Sequence, residues 1–382
     1  MYVLSPIARA LYEAFLMFWV VLWPLVLGFT LSGVIQALVS KRAMARTLGG
    51  DNLKCYSLAA LLGAASSSCS YAAVALARSI FRKGASFTSS MVFEIASTNL
   101  VLELGLILLF FLGWQFALAE WLGGIIMIVV LIFLMRLSLS KKLILEARSQ
   151  AEKGILGRME GHAEMDMSLK NQGPFWQKVL TKDALTSVSH FFVMDWSSVL
   201  FDLVLGFLIA GALTVFVPHS FWQAFFLKDN PTLSFIEGPF VGPAVAILSF
   251  VCSIGNIPLA AVLWAGGISF GGVVSFIFAD LIVLPILDIY RKYYGWKTMF
   301  YILGTFYLTM VCAGFVVEII FSSLGLVPTE RTIGILEEGF KWNYTSFLNI
   351  IFIFIAGILV WRFFKTGGMS MFGMMNKKNH EM

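Results

Sequence analysis

Long stretches without a single charged side chain constrain this sequence more than any other feature. Residues 14–40, 55–77, 104–119, 121–135, 203–227, 238–279, 298–317 and 342–361 contain no Asp, Glu, Lys or Arg. A helix needs about 20 mostly apolar residues to cross the hydrocarbon core of a bilayer, so runs of this length and number require lipid as the solvent. Only 13% of the chain is charged, where a soluble domain spends about a quarter of its residues on charge. The same numbers exclude a disordered chain, a disulfide scaffold (four Cys in 382 residues) and, at a net charge of +5, a nucleic-acid partner. The first run is too long for a signal-peptide core and is preceded by only Arg9 and Glu13, so it reads as a retained helix.

A register shift of 183 residues lays Ser66–Val101 over Ser249–Leu284 without a gap and gives ten identities in 36 positions, among them Cys69/Cys252, Ser70/Ser253, Gly84/Gly267, Ser86/Ser269 and Phe87/Phe270. Roughly three would be expected from apolar composition alone. A shift of 178 superposes Leu25–Phe29 on the identical Leu203–Phe207 and Gly33 on Gly211. The chain therefore reads as transmembrane repeat 1 (1–135), a cytoplasmic loop (136–185) with nine Lys and Arg, transmembrane repeat 2 (186–322), and an extra transmembrane helix with a Met-rich cytoplasmic tail (323–382).

Charge decides how the repeats are oriented. If segments 55–80 and 239–264 both cross fully, the basic residues divide almost evenly between the two sides. If each is instead a re-entrant or broken helical hairpin, all of the 27 Lys and Arg except Arg9, Lys228, Arg331 and Lys341 share one side. The positive-inside rule favours the second layout. It gives an all-α polytopic membrane protein of seven crossings and two hairpins, with inverted repeats, an outside N-terminus and a cytoplasmic C-terminus. Trp114, Trp121, Trp222, Trp264 and Trp342 then fall near the outer boundary and Tyr290, Tyr293, Trp296 and Trp361 near the inner one, as an aromatic belt.

Backbone that leaves helical geometry inside a membrane must be satisfied by protein or by a water-filled cavity. The tips Ser66-Ser67-Ser68-Cys69-Ser70 and Cys252-Ser253-Ile254-Gly255-Asn256 have the small hydroxyls, Gly and amide for such a break. Ser68, Cys69, Ser70, Cys252, Ser253, Asn256 and Asn99 are the candidate solute-binding residues. The competing reading is that Ser, Cys and Gly are small residues that let helices pack closely. Cys69 and Cys252, as a symmetric pair, offer two thiolates to a soft cation or metalloid. Glu94 and Asp280 are candidate coupling carboxylates, because buried acids in membranes usually mark a pathway; Asp280 falls where Ser97 stands in the first copy. His162, Met165 and Met167 in the basic loop combine imidazole and thioethers suited to a weak copper, silver or zinc site, or are plain linker. Ser189–Trp196 reads as an interfacial amphipathic helix leading into the fifth span.

At Ser-Ser-Ser-Cys-Ser-Tyr-Ala-Ala and Val-Cys-Ser-Ile-Gly-Asn-Ile-Pro-Leu-Ala-Ala the sequence resembles the predicted-permease family that includes organoarsenical efflux permeases and proteins described as copper/zinc exporters. The second copy carries its pattern at Cys252, Ser253, Pro258, Leu259 and Ala260, followed by Gly267 and Ser269. Ala75 stands where the first copy would have the proline, and each copy has one Cys in place of the Cys-x-Cys of metal-exporting relatives. The resemblance implies a permease working in efflux and leaves the solute open. No phosphate-binding Gly-x-x-x-x-Gly-Lys-Ser/Thr loop, catalytic triad or cofactor signature occurs, so the expectation is an inner-membrane secondary transporter without a cofactor. Its solute is then a soft metal ion or metalloid compound. The alternatives are a small organic or inorganic anion as solute, or a membrane assembly protein that transports nothing.

Overall fold

The computed structural model describes residues 5–38, 48–66, 70–82, 84–152, 181–217, 231–248, 253–329, 331, 342 and 344–369, and every regular element among them is a helix. The first half contains α1 (Pro6–Leu38), α2 (Leu53–Ser66), α3 (Ser70–Arg82), α4 (Phe87–Asn99), α5 (Leu102–Phe111) and α6 (Trp114–Ser138), followed by the short α7 (Lys141–Ala151). The second contains α8 (Lys182–Phe216), α9 (Pro231–Ile247), α10 (Ser253–Gly266), α11 (Phe270–Phe278), a 3-10 turn (Ala279–Ile282), α12 (Leu284–Tyr294) and α13 (Trp296–Ser323); α14 (Tyr344–Lys365) is the additional helix. Among the described residues four segments are long and apolar enough to cross a membrane: Phe87–Phe111, Trp114–Ser138, Trp296–Ser323 and Thr345–Lys365. The pair α11–α12, bent by 41°, makes a fifth.

The two segments that the charge pattern sets apart behave as hairpins. Helices α2 and α3 have 14 and 13 residues, about 20 Å each at 1.5 Å per residue, against a hydrocarbon core of about 30 Å. The Ser86 N–H donates to the Leu48 carbonyl at 3.1 Å, so the segment leaves where it entered. Gly63 of α2 lies against the Phe93 carbonyl and Ala96, which packs α2 directly on α4, and α3 packs on α4 as well. In the second half Gly238 and Gly242 of α9 lie beside Ser269, Gly272 and Ser275 in the same way.

Each hairpin is tied to the following span by the same turn. Gly84 and Gly267 have φ of +112° and +110°, a conformation that side-chain-bearing residues rarely adopt. Two residues later Ser86 and Ser269 cap α4 and α11, accepting from the N–H groups of Ser89 (3.0 Å) and Gly272 (3.1 Å). Equivalent helices of the two halves are antiparallel. Gly33 of α1 faces the Val188 carbonyl of α8, and at the other end Gly211 of α8 faces the Ala10 carbonyl of α1. The α6–α13 pair likewise joins Ser138 to the Tyr301 hydroxyl at one end and Gly123 to Val317 further along. This arrangement is consistent with inverted repeats.

Two expectations change. Ser189–Trp196 is not a separate interfacial helix but part of the 35-residue α8. Its apolar members Phe191, Phe192 and Met194 are buried against protein, and His190 is bonded to Thr366 at 2.8 Å. In the aromatic belt Trp114, Trp121, Trp296, Trp342 and Trp361 are exposed, but Trp264, Tyr290 and Tyr293 are buried. Trp264 packs edge-on against Phe116 and Phe270, and the Tyr290 hydroxyl is committed to Glu94. Trp222 lies outside the described residues.

Candidate functional site

The returning helices of the two hairpins, α3 and α10, begin at Ser70 and Ser253, residues 183 apart in the chain. These two side chains meet, with their hydroxyl oxygens 3.0 Å apart. Both also donate to one oxygen of Asp280, from Ser70 at 2.6 Å and from Ser253 at 2.5 Å. All three residues are buried. The junction thus places one carboxylate at the first turns of two converging helices, whose N-terminal dipole ends favour negative charge. Charge-assisted hydrogen bonds of this kind are worth about 1.5–3 kcal/mol each. The second Asp280 oxygen has no donor among the described residues.

The chain delivers Asp280 to this point by breaking the helix that carries it. α11 gives way after nine residues to the 3-10 turn that holds Asp280, and Val283 then takes an extended conformation (ψ 149°). Pro285 follows in the first turn of α12, where its missing N–H is tolerated. Asp280 therefore does not sit within a continuous helix, as counting residues from Ile268 implies. Backbone freed by the break can take part in solute binding.

Glu94 on α4 accepts a hydrogen bond from the Tyr290 hydroxyl of α12, a contact between the two halves, and lies within electrostatic reach of Asp280. The Ser97 hydroxyl donates to the Glu94 carbonyl at 2.8 Å, so the residue in Asp280's place in the first copy is turned onto its own helix. Asn99 closes α4 with its amide donating to Ile95 and Thr98, while its Oδ1 has no donor among the described residues. Asn256 is buried in the first turn of α10. Ser68, Cys69, Cys252, His162, Met165 and Met167 lie outside the described residues. The structure thus brings together Ser70, Ser253 and Asp280 directly and sets Glu94 nearby. Among the described residues no group of three or more His, Cys, Asp or Glu side chains converges as a metal site; Cys55 and Cys312 are partly exposed and outside any disulfide.

Two groups beside the junction escape the sequence reading. Tyr290 looks like an interfacial aromatic until its hydroxyl is seen on Glu94. Glu120 of α6 is 1% exposed and within electrostatic reach of Asp280. Its signal is available in the sequence, since it is the one charge between residues 104 and 135.

A multi-pass helical chain with re-entrant hairpins meeting on a buried carboxylate has the build of a membrane permease. A family described as "Predicted permease" matches residues 8–319, and the chain belongs to that family. It is 56% identical over 337 residues to "Putative permease Rv2963" of Mycobacterium tuberculosis, an alignment covering 88% of this chain and 83% of that protein. No solved structure matches.

Proposed function

We propose that this permease is a secondary transporter of the bacterial inner membrane that exports a soft metal ion or a metalloid compound by alternating access, the solute passing between the hairpin tips. The junction of Ser70, Ser253 and Asp280 carries this reading, because it joins equivalent residues of the two hairpins through one titratable group. Ionised, Asp280 occupies both hydroxyls and both helix ends. Protonated, it loses the charge that holds them, and Ser70 and Ser253 become available to the solute. Cys69 and Cys252 precede those serines in the chain and supply the soft ligands. Ser68, Asn99 and Asn256 contribute oxygen or amide contacts. Glu94, held by Tyr290, shares the coupling proton with Asp280. His162, Met165 and Met167 form a weak cytoplasmic collecting site on the loop between the repeats, and the C-terminus is cytoplasmic.

The test is resistance and solute retention in a deletion strain challenged with a panel of metals, metalloids and anions. Asp280→Asn, Cys69→Ser and Cys252→Ser are expected to abolish the protection given by the parent protein, and Glu94→Gln to weaken it. Parental behaviour from all four variants would sink the assignment. A second reading, export or uptake of a small anion, is favoured by the two helix N-termini that converge at the junction. It predicts that thiol-blocking reagents leave transport intact.

A further inference from the structure

Glu120 has no evident structural reason to be a carboxylate. It is buried, and neither oxygen accepts a hydrogen bond among the described residues. One turn further along α6, Gly123 lies against the Phe278 ring and Gly124 against Leu100 and the Asn99 carbonyl. That stretch of α6 therefore packs on both helix breaks, the one after α4 and the one that carries Asp280. The acidic groups on the packed elements are Glu94 on α4, Asp280 on the 3-10 turn, Glu103 on α5, and Glu318 on α13. Glu318 accepts from the Gly271 N–H and lies within electrostatic reach of Arg331. No Lys or Arg among the described residues pairs with Glu120. Glu94 Oε2, Asp280 Oδ1 and Asn99 Oδ1 also lack donors among the described residues. Glu120, Glu94 and Asp280 thus make a group of buried acids, and the Tyr294 hydroxyl, within electrostatic reach of Glu94, is a polar group beside them that also lacks a partner among the described residues. Buried carboxylates placed this way take up a cation or stay protonated. A proton held on Glu120 itself removes the uncompensated charge.

We propose that Glu120 is a proton-binding residue of the transport cycle, coupled to Asp280 across the two helix breaks. This rests on the transporter reading above, and its test uses the proton itself as the probe. The protein in lipid nanodiscs is titrated with pH while the infrared carbonyl band of protonated carboxyl groups is followed. Glu120→Gln is expected to remove part of that band without moving the melting temperature, and Glu120→Asp to restore it. In Asp280→Asn the pH dependence of the Glu120 contribution is expected to change, since interacting acids titrate as a pair. An unchanged band in Glu120→Gln, or a Glu120 titration indifferent to Asp280, overturns the inference. Neither result needs a known solute, so failure here is distinguishable from failure of the transporter reading.

A separate observation concerns the outer ends of the hairpins. The Arg148 guanidinium stands 4.3 Å from the centre of the Phe81 ring and donates to the Ala85 carbonyl at 3.0 Å. The Arg331 guanidinium stands 4.2 Å from the centre of the Trp264 ring and donates to the Ile268 carbonyl at 2.8 Å. Arginine, ring and carbonyl are each displaced by the same 183 residues, although the arginines lie far outside the stretch of recognisable sequence identity. Each arginine comes from the chain beyond the last span of its half and clamps the turn between hairpin and span. We infer that Arg148 and Arg331 are matched latches that close the two hairpins from opposite faces.

The test places a single cysteine at Ser70 in a chain otherwise free of cysteine, and measures its labelling by a membrane-impermeant maleimide in right-side-out and inside-out vesicles. Arg148→Ala is expected to raise the rate roughly tenfold from one face, and Arg331→Ala by a similar factor from the other, in keeping with a lost ring contact and hydrogen bond. Lysine at either position, which keeps the charge but not the planar fork, should fall between. Equal increases from both faces, the signature of general loosening, or no increase from either, overturn the inference.

Discussion

α4 in the first half and the α11–3-10 segment in the second start alike and end differently. Both follow a glycine of positive φ, both are capped by a serine two residues on, and both open with phenylalanine. Beyond the second turn they part. α4 continues to Asn99 and with α5 forms one 25-residue span, whereas α11 gives way after nine residues and the segment bends by 41°. The divergence coincides with Ser97 in one copy and Asp280 in the other. Ser97 is turned onto its own backbone, and Asp280 reaches across to both hairpin tips. Turns and caps are kept in duplicate because each hairpin needs the same backbone path. The charged group occurs once, at the position that reaches both tips, while its counterpart Ser97 faces its own helix.

The sharpest way to break this comparison is to move the acid. Asp280→Ser is expected to abolish solute export, because the one titratable group that joins Ser70 to Ser253 is lost. Adding Ser97→Asp should not rescue it, since that position faces its own helix. Rescue measured by solute export would mean that the copies are interchangeable and the bend is incidental. Next in size are the glycines where α1 crosses α8. A methyl on Gly211 would lie 2.3 Å from the Ala10 carbonyl oxygen, and one on Gly33 3.1 Å from that of Val188. Overpacking of this kind costs about 1–3 kcal/mol. Gly211→Ala should fall at the upper end and Gly33→Ala at the lower, read as thermal stability in detergent.

The architecture was legible to the extent that it depends on repeated backbone requirements. Gly84/Gly267 and Ser86/Ser269 carry the same φ and the same cap, so the sequence alignment could find them. The positive-inside count exposed the hairpins because a short hairpin and a full crossing put different loops in the cytoplasm. Tyr290 and Trp264 were misplaced for one physical reason: an aromatic near a span end satisfies lipid and a protein interior equally well, and only the partner decides. Glu120 escapes a reading built on charge-free runs because it stands between two of them. Arg148 and Arg331 could not be paired from sequence, since the chain between them and the matched stretch has diverged. The Ser70–Ser253 contact was within reach, because a pseudo-twofold axis through two hairpin tips brings equivalent residues together.

The smallest test concerns the caps, where the copies look most alike. Replacing an N-cap serine by alanine typically costs about 1 kcal/mol, because one N–H of the first turn loses its acceptor. Ser86 and Ser269 each satisfy such an N–H, and on that ground alone the two alanine variants should melt together. Their surroundings differ, however. Ser86 also donates to the Ser89 hydroxyl at 2.9 Å, and when that bond is lost Ser89 keeps its own donation to the Gly50 carbonyl at 3.3 Å. Ser269 shares its turn with Glu318, which interacts with the Ser269 hydroxyl and with the Gly271 N–H. Its removal leaves a carboxylate short of a donor as well as an N–H short of an acceptor. Ser269→Ala is therefore expected to destabilise more than Ser86→Ala, by a margin that Glu318→Gln in the same chain narrows. Equal losses in both backgrounds would show that the turn alone, and not its acid partner, holds the second hairpin.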